Sequence, residues 1–163
     1  MERYRTFGQN DWQTLQERAE ASNRKRAHFN LHTSFDESIQ KTLICLLYGT
    51  YIPPHYHRHK YQKELFVVLK GRVKVLFFDH VAKVTEVLYL GGEGQSCMVE
   101  ISHNSIHTVV CLSELAHVME IKEGPFLKDD CKEFLQWTIS EQDQRAGDYV
   151  RWLEIASENQ VYG

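Results

Sequence analysis

The residues best suited to chemistry are closely spaced histidines. Pro54-His55-Tyr56-His57-Arg58-His59 places an imidazole at every second position. In an extended segment residues i and i+2 point to the same side, so His55 and His57 project together. Two imidazoles on one face are a recurrent way to hold a divalent cation. Glu64 heads the apolar run Glu64-Leu65-Phe66-Val67-Val68. A carboxylate entering an apolar strand needs a partner, and a metal ion would supply one. His107, in Ile106-His107-Thr108-Val109-Val110, is a third imidazole far along the chain. The expected metal set is His55, His57, Glu64 and His107. His59 shares the parity of His55 and His57 and is the alternative to Glu64. The bland alternative is a polar, His-rich loop beside a hydrogen-bonded core histidine.

Mixed imidazole and carboxylate ligands suit Fe(II), Mn(II), Ni(II) or Zn(II). Such an ion can act as a Lewis acid on a carbonyl or hydroxyl, with His32, or Glu64 if it is not a ligand, moving the proton. Isomerisation, epimerisation and dioxygenation all remain open, as does a non-catalytic binding or sensing role. Arg24, Arg26, Asn30 and His32 form a polar, partly basic stretch that leads towards the histidines. They are read either as a solvated edge strand or as the mouth of a pocket for an anionic or hydroxyl-rich molecule. Arg offers a planar fork that matches phosphate and carboxylate. A sugar phosphate or nucleotide-sugar would suit such a pocket.

These groups need a scaffold, and the apolar pattern describes one. Residues 11–22 read as a helix started by Asn10 or Asp11, with Trp12, Leu15 and Ala19 at helical spacing. From residue 27 the period changes to two. Strands are expected from residue 27 and over 41–48, 64–69, 72–78, 83–90, 98–101, 106–112 and 117–121, separated by turns such as Lys70-Gly71 and Gly91-Gly92. Residues 143–154 read as a closing helix, with Tyr149, Trp152 and Leu153 on one face. The expectation is one domain over 1–163: an N-terminal helical segment over 1–26, a β-barrel over 27–125 and a C-terminal extension with a helix over 126–163. Trp12, Trp137 and Trp152 read as packing residues, Tyr56 and Tyr61 as surface or pocket wall, and His80 and His103 as exposed.

The chain has 163 residues and a net charge of −3, with 42% hydrophobic and 25% charged residues. That is ordinary for a globular protein and demands no nucleic-acid partner. No apolar run approaches a bilayer span, and the N-terminus has no apolar secretory region, so a cytoplasmic location without membrane partners is expected. Cys45, Cys97, Cys111 and Cys131 form no paired motif and read as reduced, buried thiols. Many strands need edge protection, which makes a homodimer plausible.

The order of the polar residues resembles the cupin superfamily. Gly49, His55-x-His57, Glu64 and Gly71 follow the first cupin motif, with six residues before Glu64 where the general motif has three or four. Ser102-His103-Asn104-Ser105-Ile106-His107 follows the second, with Ser102 for its proline, Asn104 for its glycine, and Cys111 where Asn is common. More narrowly, Arg24-Lys25-Arg26-Ala27-His28-Phe29-Asn30-Leu31-His32, Pro54 to His57, Lys63 to Gly71, Glu100-Ile101 and Lys122-Glu123-Gly124-Pro125-Phe126 resemble the WbuC family of cupin-fold metalloproteins. The resemblance implies a mainly β fold, the cupin double-stranded β-helix or jelly-roll barrel, with an N-terminal and a C-terminal helix. It also implies a metal ion and a setting in bacterial surface-polysaccharide (O-antigen type) biosynthesis.

Overall fold

Alternating side chains lay down two antiparallel sheets, and two helices cover their outer faces. The computed structural model describes residues 3–93, 95–127 and 132–163. The elements are α1 (Gln9–Glu20), β1 (Arg26–Asn30), β2 (Ile39–Leu47), β3 (Glu64–Lys70), β4 (Val73–Phe78), β5 (Val84–Leu90), β6 (Met98–Ile101), β7 (Ile106–Cys111), β8 (Leu115–Glu123) and α2 (Ala146–Ile155). Five strands pair in the order β1-β2-β8-β3-β6 and three in the order β5-β4-β7. The result is the mainly β cupin fold, a double-stranded β-helix with a helix near each end of the chain. Among the described residues no helix is long and apolar enough to cross a membrane.

Helix α1 begins two residues earlier than its expected start. Asp11 lies inside the first turn, and its Oδ2 accepts the Gly8 backbone N–H at 2.8 Å. The carboxylate thus meets an orphan donor from the third helical position rather than from the cap itself. Leu15 and Ala19 pack on Ala27, Leu43 and Cys45, the outer face of the large sheet. Helix α2 begins later than expected because Asp143 first makes a local turn. Its Oδ1 accepts the Arg145 N–H at 2.8 Å, and its carbonyl accepts from Ala146. Tyr149, Val150 and Leu153 then pack on Leu76, Phe78, Ile106 and Val110 of the small sheet.

The core between the sheets contains Ile44, Leu46, Phe66, Val68, Val73, Val75, Val109, Cys111 and Val118. The turn between β3 and β4 depends on Gly71, which has φ +80°. A Cβ there would lie 2.3 Å from the Leu115 carbonyl oxygen, so a side chain would force the backbone apart. Asn104 takes φ +61° in the turn before β7, the role expected of it as a replacement for glycine.

Cys45 and Cys111 are buried thiols as expected, but Cys97 is exposed. It precedes β6, the edge strand of the large sheet, whose outer residues face solvent. Cys131 lies outside the described residues. His103, expected to be exposed, is half-buried with its Nδ1 enclosed, whereas His80 is exposed. The three tryptophans pack: Trp12 stacks on His117 at 4.1 Å, Trp152 on Tyr149 at 5.5 Å, and Trp137 lies 5.6 Å from Phe78.

Candidate metal centre

Strand register writes a polarity gradient on the inner face of the large sheet. One cross-strand row is Ile44, Val118 and Val68; the next is Thr42, Glu120 and Phe66; the next is Gln40, Lys122 and Glu64. The inner face therefore passes from apolar to ionisable within three rows. His107 reaches the same interior from the small sheet, because it alternates with Val109 and Cys111, which pack in the core.

His55 and His57 are held by backbone pairing. The His55 N–H donates to the His107 carbonyl at 3.0 Å, and the His107 N–H donates back at 2.9 Å. Tyr56 exchanges the same pair of bonds with Glu133, at 3.1 and 2.9 Å, on the opposite side. The segment is therefore extended, and the two histidines share one face. His55, His57 and His107 are all buried, and their potential ligand nitrogens lie within 4.8 Å of one another. Glu64 Oε2 lies 3.1 Å from His57 Nε2, 3.5 Å from His107 Nε2 and 3.5 Å from Lys122 Nζ.

Hydrogen bonds assign two tautomers. His55 Nδ1 meets the Pro53 carbonyl at 2.9 Å, and His107 Nδ1 meets the Ser105 carbonyl at 2.8 Å. A carbonyl can only accept, so each Nδ1 carries the proton in the neutral ring and each Nε2 presents a lone pair. Burial pushes the His55 pKa well below its ordinary value, and Lys132, His107 and His57 push it in the same direction. Burial also lowers His57, opposed by its hydrogen bond to Glu64. For Glu64, burial favours the neutral acid, but the Lys122 ammonium first, and then the adjacent His107 and His57 rings, outweigh it and hold the pKa well below the usual range. Depressed imidazole pKa values at His55 and His57 beside an ionised carboxylate match the protonation states that metal ligation requires. The donor set fits a divalent cation.

The structure brings His55, His57, Glu64 and His107 together, and places His59 elsewhere. The chain turns at 59–62, with the Gln62 N–H donating to the His59 carbonyl, and the His59 ring stacks on Tyr61 at 5.3 Å. The basic stretch has a different setting from the one its sequence suggests. Arg24 makes a bidentate pair with Glu141, at 2.9 and 3.1 Å. Arg26 is buried and donates to Glu141 at 2.5 Å and to the Tyr51 carbonyl at 2.8 Å. It works first as a strut between β1 and the segment before the histidines. Both arginines still line a narrow cavity of about 60 Å³ that reaches His55, Glu64 and His107.

Asn30 and His32 line a larger cavity of about 330 Å³, together with His57, Gln40, Glu120 and Lys122. Sequence reasoning missed His28, Glu120 and Lys122. Glu120 sits 3.0 Å from Lys122, and its pKa is pushed up to about 7, by desolvation first and by Glu64 second. His28 keeps solvent contact but is recessed in the cavity wall, and its pKa falls to about 4 through desolvation, then through Arg26 and Lys132. The signal for Glu120 and Lys122 was their alternation with Val118, which the expected end of the strand at residue 121 obscured.

A family model described as Domain of unknown function (DUF6016) matches residues 7–90, just over half of the chain. No curated protein sequence matches the chain. Among solved structures, protein SO0799 from Shewanella oneidensis is similar with a TM-score of 0.56 and 14% identity, over 82% of this chain and 87% of that one. The capsular polysaccharide assembling protein CapF from Staphylococcus aureus is similar with a TM-score of 0.54 and 20% identity, over 70% of this chain. The chain spans about a third of CapF, 32% of its length. At these identities the likeness is one of fold.

Proposed function

The chain belongs to the DUF6016 family, and from the imidazole–carboxylate cluster inside its cupin barrel we propose a metal-binding cupin that acts on a sugar or nucleotide-sugar. His55, His57 and His107 hold a divalent Fe, Mn, Ni or Zn ion, with Glu64 as the fourth ligand. One observation carries this reading. The three buried imidazoles hold their potential ligand nitrogens within 4.8 Å of one another, and the buried Glu64 carboxylate lies 3.1 and 3.5 Å from two of them. A divalent cation among them would engage all four groups at once. When bound, the ion would polarise a carbonyl or hydroxyl of the substrate.

The WbuC-like motifs and the fold shared with a capsular polysaccharide assembling protein support a place in bacterial surface-polysaccharide biosynthesis. Metal analysis of untagged protein tests the first step. About one equivalent is expected, falling to trace in His107→Ala; metal-free wild type after growth with all four metals would overturn it. A non-catalytic sugar-binding module is the second reading. It is favoured by His32, the expected proton carrier, whose Nδ1 is tied to the Lys41 backbone at 3.0 Å. Stabilisation by nucleotide-sugars without turnover would select the module; turnover lost in His55→Ala would select the enzyme.

A further inference from the structure

The larger cavity contains two enclosed polar atoms that no described residue satisfies. His32 and Gln40 are 9% and 6% exposed, and neither His32 Nε2 nor Gln40 Oε1 has a hydrogen-bond partner among the described residues. Their chemistry is opposite. His32 Nδ1 lies 3.0 Å from both the N–H and the carbonyl of Lys41; that carbonyl already accepts the Leu31 N–H at 2.8 Å, so Nδ1 serves the Lys41 N–H as acceptor and Nε2 carries the proton as a donor. Gln40 Nε2 lies within 3.3 Å of three carbonyls, those of Ser34, Phe35 and Glu37, which fixes the amide orientation and leaves Oε1 as a pure acceptor. An unmatched donor and an unmatched acceptor thus belong to residues that line the same cavity. Beside them stands an apolar pair: the Phe35 ring is 5.6 Å from His32 and 5.0 Å from Phe126, and both phenylalanines are partly open to solvent. The same cavity reaches His57 of the metal cluster.

We propose that His32, Gln40, Phe35 and Phe126 form a subsite for a neutral substituent that offers both an acceptor and a donor, an amide or a hydroxyl on a sugar ring. The substituent's oxygen accepts from His32 Nε2–H, its N–H or O–H donates to Gln40 Oε1, and its apolar side lies on the phenylalanines. A carboxylate satisfies His32 but sets a charge against the Gln40 oxygen, so it is rejected at this end of the cavity. The proposal deepens the sugar-binding reading by naming what the pocket recognises away from the metal.

The test titrates the as-purified protein with N-acetyl-D-glucosamine, D-glucose and D-glucuronate, and measures metal content in the same samples. Saturable binding of at least one neutral sugar is expected, weakened at least tenfold in His32→Phe and severalfold in Phe126→Ala, with metal content unchanged. Phe126→Ala guards against a folding defect, because Phe126 is a partly exposed side chain at the rim. N-acetyl-D-glucosamine binding alone identifies an amide, and equal binding of D-glucose identifies a hydroxyl. Equal affinity in His32→Phe and wild type overturns the proposal. So does His32-dependent preference for glucuronate, or no response to any neutral sugar, as when a water serves both atoms. Metal-free protein that still binds sugar through His32 would sink the metal reading and keep this one.

Discussion

Two buried charges show different ways of keeping an ion out of water. Lys74 lies on the face of β4 that meets α2 and is fully buried. Its ammonium donates to the carbonyls of Leu153, Glu154 and Ala156 at 2.9, 3.1 and 2.6 Å. An ammonium has three donors, and the end of a helix has carbonyls without partners and a partial negative charge. The match is complete. Glu64, across the core on the inner face of β3, meets two imidazole nitrogens and shares Lys122 with Glu120. One of those nitrogens is an acceptor like itself. A buried charge by itself therefore does not mark a site; a buried charge whose neighbours have the wrong complementarity does.

The comparison breaks first at Lys74. Lys74→Met keeps much of the volume but leaves three carbonyls without their cation. It is expected to lose about 3 kcal/mol in urea denaturation, since a buried acceptor left unpaired costs about 1–3 kcal/mol, with metal content unchanged. Near-wild-type stability would show that α2 docks without the lysine.

Next comes the metal. A divalent ion at a hundred times its dissociation constant should stabilise the fold by about 2.7 kcal/mol. The gain should vanish with chelator and in His107→Ala, as read by paired denaturation curves.

The third test is pH, in chelator-treated protein. His55 and His57 have depressed pKa values when folded, so the unfolded chain binds more protons below its ordinary value of 6.5. Their stability is present above that value and is lost as pH falls. Glu120 acts oppositely: raised to about 7 from 4.5, it contributes stability that is lost as pH rises between those values. These imidazoles, joined by His28 at about 4, outnumber the one raised carboxylate, so the unfolded chain binds more protons in this range. Stability should fall on going from pH 6.5 towards 5, by up to about 1.4 kcal/mol per pH unit for each proton of the difference. A melting temperature that rises on acidification would mean that Glu120 dominates.

The smallest effect sharpens the contrast. Glu64→Gln should change the metal-free stability by about 1 kcal/mol or less, because Lys122 keeps Glu120 at 3.0 Å. The same change should shrink the metal-dependent gain. A large loss without metal would make Glu64 a structural ion like Lys74.

The sequence by itself carried the strands, the two helices and the histidines that converge. Each depends on a local period: two residues for His55 and His57, two again for His107 with Val109 and Cys111, and near four for Leu15 and Ala19. Only the tertiary structure decided which polar residues meet. Lys74 falls within an apolar strand just as Glu64 does, and no periodicity says that one faces a helix end and the other a histidine cluster. The engagement of Arg26 with Glu141 and the gathering of Gln40 and His32 around one cavity were equally hidden. The physical reason is range. Side-chain direction follows from the backbone of a few neighbouring residues, whereas complementarity depends on cross-strand register and on contacts more than a hundred residues apart in the chain, as between Arg26 and Glu141.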